Sequence, residues 1–470
     1  MSRPSARDAV ERCLARIAAS DRVGPDWRAV LALDPRARDA AERADEERRA
    51  GRVRGPLHGL PILIKDNIDV AGLPTSVGTK ALGAWRPEQD ASVVARLKAA
   101  GAIVLGKTNL HELALAGTTA SALGGRTLNP HDPARTPGGS SGGSGAALAL
   151  GYCDGALGTD TLNSLRSPAS ACGIVALRPT WGLLPRTGIV PVSPSQDVVG
   201  PMARDVATLA HLLDAMTGPP DPADPANGLS FGRPAGGYAA ALDRGSLRGA
   251  RLGVVAALFG RTAEQSEVTA IVRGALESLR RAGARLIEID DPRFDTEAMI
   301  GACDVNLIEF REAFDAWAAS ARPRPPIADL TDLVGRGDCH PSIAEALAKA
   351  MRYARATEAP DYLARRRAAG ALRAATLKVM AEHRLDALVY PLQKRPAVEI
   401  GRPVQPDRNG ILAAATGLPA IDIPAGRTKA ERPLPVGMDL LGQPWSEARL
   451  IALANSAERV LGVSLGAPLG

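Results

Sequence analysis

A chain of 470 residues with 45% hydrophobic and 23% charged side chains has the makeup of a folded globular protein, which excludes a disordered, fibrous or collagen-like class. Its formal charge of +6 comes from basic and acidic residues interspersed along the chain, with no basic stripe, and this argues against nucleic-acid binding. No apolar run of membrane-spanning length and no apolar leader is present, and five scattered cysteines (13, 153, 172, 303 and 339) make neither a disulfide framework nor a Cys-x-x-Cys metal site, so a cytoplasmic protein with reduced core thiols and no membrane association is expected.

The apolar positions Ala6, Val10, Cys13, Leu14 and Ile17 recur at helical spacing over 6–18, and a strongly charged helix is predicted over 35–50. At 57–65 the pattern changes to the unbroken apolar run of a buried strand. Residues 90–100 then read as a helix stopped by Gly101, and 102–107 as the next strand. Strand, helix and strand in that order make a βαβ unit. The predicted class is therefore α/β, a mixed β-sheet flanked by helices on both faces in one large domain over 1–470.

Beyond a glycine- and serine-rich tract at 137–145, a helix is predicted from Ala146, with its first amides aimed back at the tract. A short strand follows at 174–177, an amphipathic helix at 203–216 and a Pro/Gly-rich surface connection at 218–237. A second α/β stretch reads as strand 251–258, helix 264–282 and strand 285–290. Residues 296–383 are mostly helical, broken at Arg322-Pro323-Arg324-Pro325-Pro326, and the region of about 290–385 is expected to cap the site and shape the substrate pocket. Strands at 386–391, 420–424 and 436–441 and a helix at 447–461 close the chain.

The chemistry concentrates in three segments. Pro137-Gly138-Gly139-Ser140-Ser141-Gly142-Gly143-Ser144-Gly145 and Gly158-Thr159-Asp160-Thr161-Leu162-Asn163-Ser164-Leu165-Arg166 set serines among glycines, whose backbone N–H groups can turn inward and stabilise an oxyanion. Gly59-Leu60-Pro61-Ile62-Leu63-Ile64-Lys65-Asp66-Asn67 ends an apolar strand on a lysine. A serine hydroxyl needs a base, and none of the six histidines (58, 111, 131, 211, 340 and 383) has a nucleophile-elbow setting. A lysine can serve only when neutral, which requires desolvation to pull it down from ~10.4. Taken singly, each segment also has a plainer reading. The Gly/Ser tract would be a linker, although it lies between apolar strands. It is no phosphate loop, since no Gly-Lys-Ser/Thr follows. Lys65 would pair with Asp66, and Asp160 with Arg166 to brace the loop.

Taken together, these segments resemble the amidase signature family, and the resemblance extends through Ser195-Gln196-Asp197, Gly200-Pro201-Met202-Ala203-Arg204, Gly417-Leu418-Pro419-Ala420 and Leu434-Pro435-Val436-Gly437. A signature core over 57–205 follows from it. The resemblance implies Ser164 as nucleophile, Ser140 as bridging serine after a cis peptide with Gly139, and Lys65 as base. The spacings of 75 residues from Lys65 to Ser140 and 24 from Ser140 to Ser164 agree with the family. It further implies an oxyanion hole from the backbone N–H groups of Thr161, Leu162, Asn163 and Ser164, with Ser141, Asp160 and Arg166 supporting. The implied reaction is hydrolysis of a carboxylic amide through an acyl-enzyme, releasing ammonia or an amine. The expected partner is a small-molecule amide substrate, without metal or organic cofactor, and a homodimer is compatible. The 189–204 block is somewhat similar to bacterial peptide amidases of the family. In one departure, Leu162-Asn163 stands where the family has Gly-Gly, so Asn163 is expected to take a glycine-like positive φ. Two alternatives stay open: the glutaminase subunit of a tRNA-dependent amidotransferase, and a catalytically silent scaffold of the same fold.

Overall fold

The computed structural model describes residues 4–229, 234–402 and 404–463, so residues 230–233 of the predicted 218–237 connection lie outside the described residues. Its strands are β1 (Val30–Leu33), β2 (Pro61–Lys65), β3 (Ile103–Thr108), a small ribbon of β4 (Ala120–Ser121) and β5 (Gly125–Arg126), β6 (Gly155–Asp160), β7 (Val175–Arg178), β8 (Val198–Ala203), β9 (Arg251–Val255), β10 (Arg285–Ile289), β11 (Ala387–Pro391), β12 (Ala420–Arg427) and β13 (Pro435–Leu441). All but the ribbon join one 11-stranded sheet in the order β1-β3-β2-β6-β8-β7-β12-β13-β11-β9-β10. The sheet is mixed: β2 runs parallel to β3 and β6, while β8 runs antiparallel to β6 and β7.

Alternation along β2 shows how the sequence builds two layers and a site. Ile62 and Ile64 face a core shared with helices Ser92–Ala99 and Val206–Met216, whereas Leu63 faces a second core with helices Ala6–Ser20 and Gly142–Ala149. With a side-chain period of two, Lys65 follows Leu63 onto the second face, the one that carries the glycine-rich helix. Fully burying five consecutive residues leaves the ammonium group no route to water.

Three expectations change. The helix after the Gly/Ser tract begins at Gly142 rather than Ala146: tertiary packing overrides the poor helix propensity of glycine, and all of Gly142–Ala149 is buried. The start of the 158–166 segment, read as a glycine loop, instead ends the central strand β6 (Gly155–Asp160). The predicted 203–216 helix is Val206–Met216, preceded by β8, whose Gly200-Pro201 pair hid a strand buried on both faces.

Helices Thr296–Cys303, Asn306–Ser320, Leu330–Gly335, Ala344–Ala350 and Tyr362–Glu382 fill the cap region. Phe310, Phe314 and Leu333 form a separate core there with Trp85, Leu113, Val190 and Val192 of the loops beyond the sheet. Among the described residues no helix is long and apolar enough to cross a membrane, and no group of side chains is arranged to hold a metal ion.

Candidate active site

The ammonium nitrogen of Lys65 lies 2.8 Å from Oγ of Ser140 and 2.7 Å from Oγ1 of Thr159. Burial pulls the amine down to about 7, only partly opposed by the fields of Asp160 and Asp197. The plainer reading, a Lys65–Asp66 pair, does not occur. Asp66 turns to the other side of the strand, where Lys107 approaches Oδ1 at 3.0 Å and the N–H of Ser76 donates to Oδ2 at 3.0 Å. Asn67 Nδ2 donates to Thr159 Oγ1 at 3.1 Å, so Thr159 receives N–H groups from Asn67 and Lys65 together and leaves the amine lone pair to Ser140.

Hydroxyls stitch the Gly/Ser tract to β6. Ser141 Oγ donates to the carbonyl of Thr159 at 3.1 Å and Ser144 Oγ to that of Leu157 at 3.0 Å, matching one helical turn to two strand residues of one face. The Gly139–Ser140 peptide is cis, as the resemblance implies. The carbonyl of Ser140 accepts the His111 N–H at 3.0 Å, and that of Ser164 accepts the Ser141 N–H at 3.2 Å, which sets Ser164 beside the tract. Among the described residues no hydrogen bond joins the Ser140 and Ser164 hydroxyls. The His111 ring is no rival base: burial first, then His340 and Arg408, push it down to about 3, and its Nδ1 accepts the Thr118 N–H at 3.1 Å.

Two buried arginines hold the loop from Asp160 to Ser164. Arg178 Nη1 donates to the carbonyl of Asp160 at 2.6 Å and reaches that of Thr161 at 3.4 Å, and Arg166 Nη2 donates to that of Leu162 at 2.6 Å. In a trans peptide the N–H points opposite to the C=O, so the amides of Thr161, Leu162 and Asn163 face away from the guanidiniums. Asp160 completes the brace, with Oδ2 3.2 Å from Arg166 Nε and Oδ1 2.9 Å from Arg178 Nη1. Burial pushes its carboxyl up, but the two arginines together hold it below its usual value.

Neither Leu162 nor Asn163 lies at positive φ, which corrects the expectation for Asn163. The arginines turn the loop by its carbonyls, so it needs no left-handed residue. The steric demand falls on Gly410 opposite, where a Cβ would collide with the Leu162 carbonyl oxygen and come within 2.5 Å of Asn163 Cβ.

Sequence reasoning missed Thr159, Arg178, Asp422 and Asp439. Asp439 Oδ2 lies 2.6 Å from Arg166 Nη1, and Asp422 faces Asp439 in register across β12 and β13. Burial raises both carboxyls, and Arg166 holds charge on Asp439, so Asp422 carries the proton. Two aspartates inside otherwise apolar strand runs were the available signal. A cavity of about 210 Å³ opens beside Asn67 and Thr159, lined by Arg186, Ile189, Val192 and Asp197 among others. Much of its lining comes from 186–198, and helices of the 290–385 region pack on Val190 and Val192 of that segment.

The family model described as Amidase matches residues 8–451. The chain is 36% identical to the A subunit of the glutamyl-tRNA(Gln) amidotransferase of Chloroflexus aggregans, over 97% of this chain and 93% of that protein. Among solved structures it is similar to the native peptide amidase of Stenotrophomonas maltophilia, with 38% identity and a TM-score of 0.86 over 97% of this chain and 93% of that one. It is also similar to the corresponding glutamyl-tRNA(Gln) amidotransferase subunit of Thermotoga maritima, with 25% identity and a TM-score of 0.75 over 97% and 91% of the two chains.

Proposed function

This chain belongs to the amidase family and is an enzyme of amide C–N hydrolysis, and from that premise we propose that it cleaves linear carboxylic amides through an acyl-enzyme on Ser164. Neutral Lys65 takes the proton of Ser140 as Ser140 takes that of Ser164, and Ser164 Oγ adds to the amide carbonyl carbon. The amides of Thr161, Leu162, Asn163 and Ser164 receive the oxyanion. Collapse of the tetrahedral intermediate breaks the C–N bond, and the leaving amine takes a proton back through Ser140. Water then attacks the ester by the same route and releases the carboxylic acid. Substrate binding closes the hydroxyl-to-hydroxyl contact, since catalytic hydrogen bonds commonly tighten only in the complex.

The observation that carries this reading is the pairing of fully buried Lys65 with Ser140 and Thr159 and with no carboxylate. It takes a small-molecule amide and works in the cytoplasm, a placement supported by the unpaired thiols of Cys13, Cys153, Cys172 and Cys303 in the core. The experiment is a panel of linear amides assayed for released ammonia or amine, with Ser164→Ala as control. Hydrolysis of none by the wild type would count against the reading.

Identity to the Chloroflexus aggregans protein favours a second reading, in which the chain delivers ammonia within an amidotransferase. Against it, the chain stands nearer in identity and fold to the peptide amidase than to the Thermotoga maritima protein. Activity of the isolated chain supports the first reading, and dependence on a co-purifying partner supports the second.

A further inference from the structure

Arg408 lies between the two serine-bearing segments and is satisfied by neither. It pairs by its backbone with Gln393, and the Gly410 two residues on packs against Leu162 and Asn163. On the other side its guanidinium covers Gly117, where a Cβ would collide with Nη1 and lie 2.8 Å from Cζ. Gly117 in turn backs the tract: a Cβ on Gly139 would lie 2.9 Å from the Gly117 carbonyl carbon. The guanidinium is thereby set between the backbone behind Ser140 and the loop of Ser164.

Among the described residues it makes no hydrogen bond and no ion pair, whereas Arg166 and Arg178 are each held in buried ion pairs with Asp160. The adjacent Asp407 turns to Arg395 instead, with Oδ2 2.5 Å from Nε. Asp160, whose field reaches Arg408, is already held by Arg166 and Arg178. Desolvation pulls the guanidinium down to about 10, and it stays partly exposed with no counter-ion at ion-pair distance among the described residues, open to a ligand from solvent. With Lys65 neutral, an unpaired positive charge with five N–H donors in a planar fork lies against Gly117, behind the Ser140 tract, and that fork fits a carboxylate at two points.

We propose that Arg408 is a specificity residue that binds a carboxylate carried by the amide substrate, so that the preferred substrates are acidic amides. This rests on the amide hydrolysis by Ser164 proposed above. The carboxylate could belong to the acyl part, as in the half-amide of a dicarboxylic acid, or to the amine part, as in an N-acyl amino acid.

Matched pairs separate these sources: succinamic acid against butyramide and glutaramic acid against valeramide for the acyl side, and N-acetylglycine against N-ethylacetamide for the amine side. In one of these arms the wild type should favour the acidic member by about 10- to 100-fold in kcat/KM, carried mainly by KM. Arg408→Gln should bring that ratio close to one, and Arg408→Lys should keep part of it by supplying charge without the fork. Equal rates on acidic and neutral members in both arms would overturn the proposal. So would an equal loss of kcat on both members in Arg408→Gln, which would assign the charge to the transition state. Calorimetric binding to Ser164→Ala covers a poorly folding Arg408→Gln: the acidic member should bind and its neutral match should not, and equal binding overturns the proposal. Failure to hydrolyse any amide would instead count against the reaction, while the binding comparison still tests Arg408.

Discussion

At the scale of single residues, the role we propose for Lys65 as the base makes two pH-dependent predictions through its burial. Activity needs the neutral amine, so log kcat/KM should rise with pH and level off above about 7. Stability follows the same group. The unfolded lysine titrates near ~10.4 and the folded one near 7, so below pH 7 both states are charged and the fold bears the whole cost of the buried ammonium. That cost fades as pH rises from 7 towards ~10.4. Lys65→Met should therefore raise Tm more at pH 6 than at pH 10, and calorimetry showing an equal shift at both would place the proton elsewhere. Asn163 makes a different point. Outside positive φ it stores no strain for glycine to relieve, so Asn163→Gly should lower turnover a few-fold by loosening the loop, contrary to what a glycine stand-in would do. Gly410→Ala drives a methyl group into Leu162 and Asn163 and should cost ~1–3 kcal/mol by urea unfolding, with a clear loss of kcat.

At the scale of elements, the end of β6 is held less by its own sequence than by strands distant in the chain. Arg178 comes from β7 and Asp439 from β13, and both converge on the loop through Arg166 and Asp160. Removing Arg166 would leave Asp160 and Asp439 facing each other without their shared cation. Arg166→Met should therefore cost ~3–5 kcal/mol in urea unfolding. Asp422→Asn should be tolerated within ~1 kcal/mol, because Asp422 already serves as a neutral donor to Asp439. This dependence explains what the sequence could and could not tell. The β2–helix–β3 unit and the closing helix Glu447–Leu461 are legible because their periodicity is local. β6 and β8 are not, because Gly158 and Gly200-Pro201 read as loop signals, and only the neighbours on both sides make strands of them. Lys65, Ser140 and Ser164 stand out by motif. Thr159, Arg178, Asp422 and Asp439 act through contacts 17 to 273 residues apart, for which no local pattern exists.

At the scale of the whole molecule, the sheet fixes the site and the helices of the 290–385 region close over it, which we propose makes them the part that shapes substrate access. Glu309 is their tether. Its buried carboxylate accepts from Ser193 Oγ at 2.6 Å, Ser195 Oγ at 2.8 Å and Tyr362 Oη at 2.9 Å, tying helices Asn306–Ser320 and Tyr362–Glu382 to the loop beside the cavity. Glu309→Ala should loosen that loop without touching Lys65, so KM should rise about tenfold while kcat changes less and the pH limb near 7 stays in place. A shifted pH limb would mean that the tether also governs the base.

The central claim, that neutral Lys65 acting through Ser140 makes Ser164 a nucleophile, is tested most directly by intact-mass measurement of labelling with a fluorophosphonate, read across pH. The account predicts one adduct per chain, mapped to Ser164, whose rate of formation rises through pH of about 7. It also predicts that Lys65→Met and Ser140→Ala label orders of magnitude more slowly. An adduct on another residue, or unchanged labelling in Lys65→Met, would contradict it.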